Sequence, residues 1–155
     1  MVRWWVDGSF AVHPNMRGHS GGCMSLGAGV IAPGSNKRKL NTRSSTESEL
    51  VAVDDFMASL LWTNNFLRAQ GVEVQKTILY QDNQSAILLE KNGGASCSKR
   101  TKHLNVRYFF VTDRIQKGDL SVEYCPTEEM TADFFTKPLQ GKLFLKFRRI
   151  IMNHE

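Results

Sequence analysis

Four acidic residues stand where a carboxylate is unusual, at the ends of predicted strands or on the apolar side of a predicted helix. Asp7 follows the aromatic and β-branched residues 4–6, and Asp82 follows the mostly apolar strand predicted at 76–81. If these two strands are parallel neighbours, both carboxylates emerge at the sheet edge where ligands bind in open α/β folds. Because an unpaired buried carboxylate is costly, we expect cations to join them there.

Glu49 and Asp133 complete this acidic set. With about 100° of rotation per residue, the Glu49 side chain points closer to the apolar stripe of its predicted helix than that of Glu47 does. Asp133 lies in a short predicted helix, residues 128–137. Oxygen ligands without histidine or cysteine favour Mg²⁺ or Mn²⁺ over zinc. Two such ions about 4 Å apart activate a water and stabilise the leaving oxygen in phosphodiester cleavage.

Each acid taken singly also has a local interpretation. A turn aspartate is the alternative for Asp7, and the N-cap of the next helix is the alternative for Asp82. Interaction with a helix dipole is the alternative for Asp133, although Glu128 and Glu129 serve that purpose better. Only convergence in space separates a metal site from these local roles.

The elements that position the acids follow from apolar periodicity and turn residues, in the order β-β-β-α-β-α-α-β-α-α. Three consecutive strands indicate an antiparallel meander, and the later alternation indicates parallel additions to the same sheet. Ser44 is the predicted N-cap of the long helix, which Gly71 ends. The predicted strands cover residues 3–10, 20–27, 29–41 (interrupted at 33–34), 76–81 and 120–125, and the later helices cover 83–91, 99–117, 128–137 and the tail from 140.

Composition is typical of a globular protein. The 155 residues fit a single domain over 1–155 that can bury a core. The 41% hydrophobic content argues against a disordered or collagen-like chain. Without an apolar run of 18 residues or a signal-peptide pattern, we expect neither a membrane-spanning nor a secreted protein. The widely spaced Cys23, Cys97 and Cys125 favour a reducing compartment over a disulfide or zinc framework.

Basic residues are grouped, and the net charge is +5. Residues 37–43, 99–117 and 137–149 hold 15 of the 20 lysines and arginines. Any one group is typical of a solvated surface, but three together favour a polyanionic partner such as nucleic acid.

Five ordered segments resemble the ribonuclease H domain at the C-terminal end of copia-type LTR retrotransposon polyproteins. The resemblance covers a core of about residues 3–140 and leaves 140–155 as a helical tail. The ordered set is specific, whereas one segment alone would be weak. The segments are Val-Asp-Gly-Ser (6–9), Ser-Ser-Thr-Glu-Ser-Glu-Leu (44–50), Asp-Asn-Gln-Ser-Ala (82–86), Lys-Arg-Thr-Lys-His-Leu-Asn-Val-Arg-Tyr (99–108) and Thr-Ala-Asp-Phe-Phe-Thr-Lys-Pro-Leu (131–139).

This resemblance implies an α/β, ribonuclease H-like fold with a five-stranded mixed sheet in the order 3-2-1-4-5 and helices on both faces. It implies cleavage of the RNA strand of RNA–DNA hybrids with two Mg²⁺ ions, for which Mn²⁺ can substitute. By motif position, the catalytic and metal-binding residues are Asp7, Glu49, Asp82 and Asp133. In the family's mechanism Asp7 bridges both ions, Glu49 and Asp82 complete one, and Asp133 completes the other.

The resemblance also implies a setting and a substrate surface. The domain would act during reverse transcription, beside the reverse transcriptase domain of the same polyprotein, in a cytoplasmic virus-like particle. Reading 2′-hydroxyl groups on one strand distinguishes RNA from DNA. The expected substrate-binding residues are Ser44, Ser45 and Thr46 at the minor groove, Gln84 on the hybrid, and Lys99, Arg100, Lys102, His103 and Arg107 on phosphates; a solvated helix residue is the alternative for His103.

One departure from related enzymes lies in the loop before Asp133. Cellular type 1 enzymes carry a mobile histidine there, thought to assist product release, and residues 126–130 contain none. His13 or His19 would substitute only if the fold brings them near. Two alternatives to the nuclease remain open: a non-catalytic nucleic-acid-binding or polymerase-scaffolding module, and a DNA-cutting relative with the same fold.

Overall fold

The computed structural model describes residues 1–92 and 102–154, and in the helix that begins at Lys102 it describes the side chains of Arg107 and of residues 109–116. Two short 3₁₀ helices, Thr127–Glu129 and Thr131–Phe135, precede the last α-helix. Within residues 1–92 and 102–154, no helix is long and apolar enough to cross a membrane. The elements are β1 (Val2–Ser9), β2 (His19–Ser25), β3 (Ala32–Lys37), α1 (Ser45–Ala69), β4 (Thr77–Gln81), α2 (Gln84–Asn92), α3 (Lys102–Gln116), β5 (Ser121–Tyr124) and α4 (Gly141–Met152).

The five strands form one mixed sheet in the order β3-β2-β1-β4-β5, which confirms the predicted order. The first three strands pair antiparallel, whereas β4 and β5 add parallel to β1. Trp5 stands opposite Tyr80 in the β1–β4 register. Asp7 and Asp82, each two residues further on, therefore reach the same edge of the sheet.

The two faces of the sheet carry separate apolar clusters. Successive strand residues point to opposite faces, and Trp4 packs on Phe56 of α1 with ring centroids 6.1 Å apart. Trp5 stacks on Tyr80 at 5.2 Å, and both pack on a cluster that contains Met130. Helices thus cover both faces, as predicted.

Helix α1 begins as the sequence predicts. Ser44 is its N-cap, and the Ser44 hydroxyl accepts a hydrogen bond of 3.1 Å from the Glu47 amide. The return bond differs from a standard capping box, because the Glu47 carboxylate accepts from the amide of Arg43, 2.7 Å away, rather than from that of Ser44. Gly71, with φ of +77°, follows the end of the helix.

Two predictions about local structure are wrong. Strand β3 runs through Pro33 and Gly34 without interruption, because it is an edge strand and Pro33 needs no N–H donor on its open side. The predicted helix 128–137 is instead the two 3₁₀ helices, which separate at Met130. The fully buried Met130 side chain explains the break, since it anchors the chain in a non-helical conformation.

The C-terminal tail forms helix α4, which packs on the rest of the chain. Phe147 of α4 is fully buried, and Phe144 stacks on Phe134 of the second 3₁₀ helix with centroids 5.3 Å apart. The amide of Val30 donates to the carbonyl of Ile151 at 3.0 Å. Helix α4 therefore supports the segment that carries Asp133.

Candidate active site

Three carboxylates meet at the carboxyl edge of the central strands. Oxygen atoms of Asp7, Asp82 and Asp133 lie within 4.8 Å of one another. The first two come from neighbouring parallel strands, and the third comes from the second 3₁₀ helix, which packs on β1 and β2. Asp7 and Asp133 are buried and Asp82 is half-buried, so the group is accessible from one side.

Glu49 lies beside this group, as its angular position on the predicted helix indicates. Its Oε2 accepts a hydrogen bond of 2.9 Å from the amide of Gly8, which ties the N-terminal part of α1 to β1. A Cβ atom at Gly8 would lie 2.4 Å from the carbonyl oxygen of Ser48, so glycine permits this close approach. Burial raises the pKa of Glu49 well above its usual value, and the charges of Asp7 and Asp82 raise it further.

The local interpretations of Asp82 and Asp7 do not hold. The helix after Asp82 is capped by the next residue, because the Asn83 side chain accepts from the amide of Ala86 at 3.1 Å. Asp7 lies within β1, not in a turn. Asp133 lies in a 3₁₀ helix, and its carboxylate contacts a lysine one turn later. The carboxylates of Asp7 and Asp82 therefore serve neither a turn nor a helix cap.

Lys137 is the residue of this site that sequence reasoning missed. Its Nζ lies 2.7 Å from Oδ1 of Asp133 and 3.6 Å from Oδ1 of Asp7. Thr136 also contributes, since its hydroxyl donates to Oδ2 of Asp7. The sequence placed Lys137 only in a basic stretch, although its spacing of four residues from Asp133 is that of helical ion pairs.

The pKa shifts show that the charged carboxylates of this site are destabilised when no further cation is bound. Burial raises the pKa of Asp133 to about 6, against the opposing effect of the hydrogen bond from Lys137. Burial also raises the pKa of Asp82, and the charge of Asp7 adds to the rise. Burial lowers the pKa of Lys137, but its contacts with the acids outweigh this and leave it raised. Among the residues that the structure describes, Lys137 is the lysine whose charge acts on Glu49, Asp82 and Asp133, and the excess negative charge favours cation binding.

The polar residues predicted to contact substrate lie at the same end of the molecule. Ser44 and Ser45 are exposed and Thr46 is half-buried at the start of α1, which also carries Glu49. Gln84 is exposed at the first position of α2, two residues after Asp82. Lys99 and Arg100 lie outside the described residues, as do the side chains of Lys102 and His103, and their role stays a prediction.

Two arginines from the basic stretches make contacts within the protein. The Nε of Arg107 lies 3.3 Å from Oδ2 of Asp54. Arg38 is buried, and its guanidinium donates to the Ser20 hydroxyl at 2.7 Å and to the His19 carbonyl at 3.2 Å. The first basic stretch is therefore only partly a solvated surface, because the donors of Arg38 are needed where β2 meets α1.

The fold brings His19, rather than a loop histidine, to the segment of Asp133. Nitrogen atoms of His13 and His19 are 3.1 Å apart, and the other His19 nitrogen lies 2.8 Å from the Ser35 hydroxyl. That hydroxyl donates to the carbonyl of Phe135 at 2.7 Å. Burial lowers the pKa of His19, and the nearby positive charges of His13 and Arg38 add to this.

No protein-family model matches the chain. The retrovirus-related Pol polyprotein from transposon RE2 of Arabidopsis thaliana is 34% identical over 127 residues, which are 81% of this chain and 9% of that polyprotein. The chain spans 10% or less of the length of the plant Pol polyproteins that it matches.

Among solved structures, LC11-RNase H1 in complex with an RNA/DNA hybrid has a TM-score of 0.60 at 10% identity, over 87% of this chain and 93% of that one. The prototype foamy virus protease-reverse transcriptase has a TM-score of 0.50 at 12% identity, over 97% of this chain and 20% of that one. These low identities show the fold alone, while the plant relatives confirm the resemblance to retrotransposon polyproteins. Fold and relatives together place the chain in the family of ribonuclease H domains of copia-type retrotransposon Pol polyproteins.

Proposed function

We propose that this chain is a metal-dependent endoribonuclease that cleaves the RNA strand of RNA–DNA hybrids during retrotransposon reverse transcription. The observation that carries the proposal is the meeting of Asp7, Asp82 and Asp133, with Glu49 beside them, at the carboxyl edge of the sheet. Family membership supports the activity, and the hybrid bound by LC11-RNase H1 supports the substrate class.

The donor set fits hard divalent cations. The cluster offers carboxylate oxygens without histidine or cysteine ligands, which is the chemistry that Mg²⁺ and Mn²⁺ prefer. Asp7, Glu49, Asp82 and Asp133 would hold two such ions. Bound ions would supply the positive charge that favours deprotonation of an attacking water and stabilises the departing 3′-oxygen. The products would carry 5′-phosphate and 3′-hydroxyl ends.

The surrounding residues fix the carboxylates in advance. The Gly8 amide holds Glu49, and the Thr136 hydroxyl holds Asp7. Ordering these groups before substrate arrives removes a reorganisation cost from the reaction itself. The burial of Asp7 and Asp133 keeps water from competing for their oxygens.

The exposed polar residues suit a hybrid substrate. Hydroxyl groups of Ser44, Ser45 and Thr46, together with Gln84, would meet the minor groove, where 2′-hydroxyls mark the RNA strand. Lys37 and Lys39 line a cleft of about 500 Å³ and would attract phosphates.

A reverse transcriptase domain of the same polyprotein is the proposed partner. The chain matches at most a tenth of the length of its plant relatives, and a foamy virus protease-reverse transcriptase contains a region of the same fold.

One observation favours a second candidate, a non-catalytic module that binds nucleic acid or scaffolds a polymerase. The ammonium of Lys137 contacts Asp7 and Asp133, as expected of an acidic site that has become structural. This candidate predicts hybrid binding without cleavage.

A cleavage assay decides between the two candidates. Asp82→Asn should lower Mg²⁺-dependent cleavage of a labelled hybrid by about 10²–10³-fold or more while leaving hybrid binding intact, because it removes a group that acts at the reacting phosphate. Asp113→Asn, at an exposed ion pair with Lys117, is the matched control and should cleave as the wild type does. Duplex RNA and duplex DNA should remain uncut.

Two outcomes would contradict the nuclease proposal. One is equal cleavage by Asp82→Asn and the wild type. The other is a wild-type protein that binds hybrid but never cuts it, even with Mn²⁺ and protein in excess over substrate, which would support the non-catalytic module.

A further inference from the structure

We propose that Lys137 is a built-in counter-ion of the acidic cluster, which neutralises Asp7 and Asp133 in the metal-free protein and is displaced when divalent ions bind. The inference deepens the proposed function and rests on it for the identity of the ligand. Its consequence is that Lys137 sets the concentration of divalent ion at which the site fills.

The contacts show that the ammonium and a metal ion would compete for the same atoms. Nζ of Lys137 lies 2.7 Å from Oδ1 of Asp133 and 3.6 Å from Oδ1 of Asp7. At 2.7 Å the ammonium uses a lone pair of Asp133 Oδ1 that a divalent ion needs as a ligand, whereas at 3.6 Å it acts on Asp7 by charge alone. Ion binding must therefore break the contact with Asp133 or share its carboxylate.

The side chain of Lys137 is free to leave while its backbone stays in place. Asp133 is 1% exposed, but the Lys137 side chain is 38% exposed, so solvent lies next to the ammonium. The amide of Lys137 donates to the carbonyl of Asp133 at 2.9 Å, which fixes the turn between them. The lysine stem is flexible and its charge is well hydrated, so displacement requires only rotation of the side chain.

The charge balance predicts two effects of opposite sign when Lys137 is neutralised. Without metal, the acidic cluster loses the ammonium that lies against Asp7 and Asp133, so the protein should become less stable. With metal, the ions no longer compete with an ammonium, so they should bind more tightly. If Lys137 only supported the fold, neutralising it would not tighten metal binding. If Lys137 only bound substrate phosphate, neutralising it would not change metal affinity in the absence of nucleic acid.

The test measures Mg²⁺ and Mn²⁺ affinity by calorimetry, and thermal unfolding in EDTA, on the whole chain without nucleic acid. Lys137→Met should lower the melting temperature in EDTA and tighten Mn²⁺ binding about tenfold, equivalent to ~1.4 kcal/mol. Lys142→Met removes an equal charge from an exposed position and should bind Mn²⁺ as the wild type does. Lys137→Arg keeps the charge and should stay closer to the wild type than Lys137→Met does.

A second measurement uses the wild-type protein, in case the methionine variant does not fold. The side-chain NH₃⁺ signal of Lys137 should be protected from exchange in EDTA and become fast-exchanging at saturating Mg²⁺. An unchanged signal, or Mn²⁺ affinity that is equal or weaker in Lys137→Met, would overturn the inference. If the metal affinities change as predicted but no variant or wild-type protein cleaves the hybrid, only the proposed nuclease function would be overturned. A chain that binds neither ion would overturn both.

Discussion

Two regions of the molecule bury carboxylates, and the electrostatic cost of burial is reduced in a different way in each. Burial raises the pKa of Glu90, on α2, to about 8, so this acid is protonated at neutral pH. Burial raises the pKa of Asp133 only to about 6, because Lys137 opposes the effect. At neutral pH Glu90 is therefore mostly protonated, whereas Asp133 is mostly ionised. The comparison separates a packing residue from residues built to hold cations.

The surroundings of Glu90 explain the contrast. Among the residues that the structure describes, none donates a hydrogen bond to the carboxyl oxygens of Glu90. Its main chain has a role in packing, since the Thr112 hydroxyl donates to the Glu90 carbonyl at 2.8 Å and joins α2 to α3. In the cluster, by contrast, the Gly8 amide and the Thr136 hydroxyl stabilise charged carboxylates.

The largest expected difference between the regions is in catalysis. Glu49→Gln should lower single-turnover cleavage of a hybrid at pH 7.5 by about 10²–10³-fold, because it removes a metal-binding charge. Glu90→Gln should leave cleavage within about twofold of the wild type, because a protonated glutamate and a glutamine are both neutral. Equal losses in the two variants would erase the distinction.

The next effect concerns stability and pH. The pKa of Glu90 is about 8 in the folded protein and 4.5 as its ordinary value, so the folded state keeps a proton that the unfolded state loses between these values. The contribution of Glu90 to stability is therefore complete below pH 4.5 and declines as the pH rises through 8. Between these limits, the free energy of unfolding of the wild type should fall by up to ~1.4 kcal/mol per pH unit relative to Glu90→Gln.

Denaturant unfolding at several pH values between 5 and 8 measures that slope. Glu73→Gln, at an exposed position, is the control and should follow the wild type. If the curves of the wild type and of Glu90→Gln run parallel over this range, Glu90 is ionised in the folded protein and the contrast with the cluster fails.

The smallest effect concerns Asp54, an acid outside both regions, which is half-buried and paired with Arg107. Burial raises the pKa of Asp54, and the charge of Arg107 opposes the rise. Arg107→Met should cost no more than ~1 kcal/mol in the free energy of unfolding, as a partly exposed ion pair does. Lys76→Met, in an exposed pair with Glu123, is the control. If Arg107→Met has normal stability but binds hybrid much more weakly at low salt, Arg107 instead binds the phosphates of the hybrid.

Much of the fold was predictable because its signals are local. Alternation and turn residues located the strands, and the cap at Ser44 located α1. The exceptions depend on neighbours that local patterns do not reveal. Pro33 is tolerated because β3 has only one partner strand, and the helix predicted at 128–137 breaks because Met130 is drawn into the core.

By itself, the sequence determined the acidic set, because the order of the motifs and the angular position of Glu49 on its helix are properties of the chain. Tertiary structure alone decided that Lys137 stands beside Asp7 and that Arg38 is buried. The contact between Asp7 and Lys137 joins the first strand to the segment before the last helix. Such contacts arise only when packing brings distant segments together, so no local pattern of residues contains them.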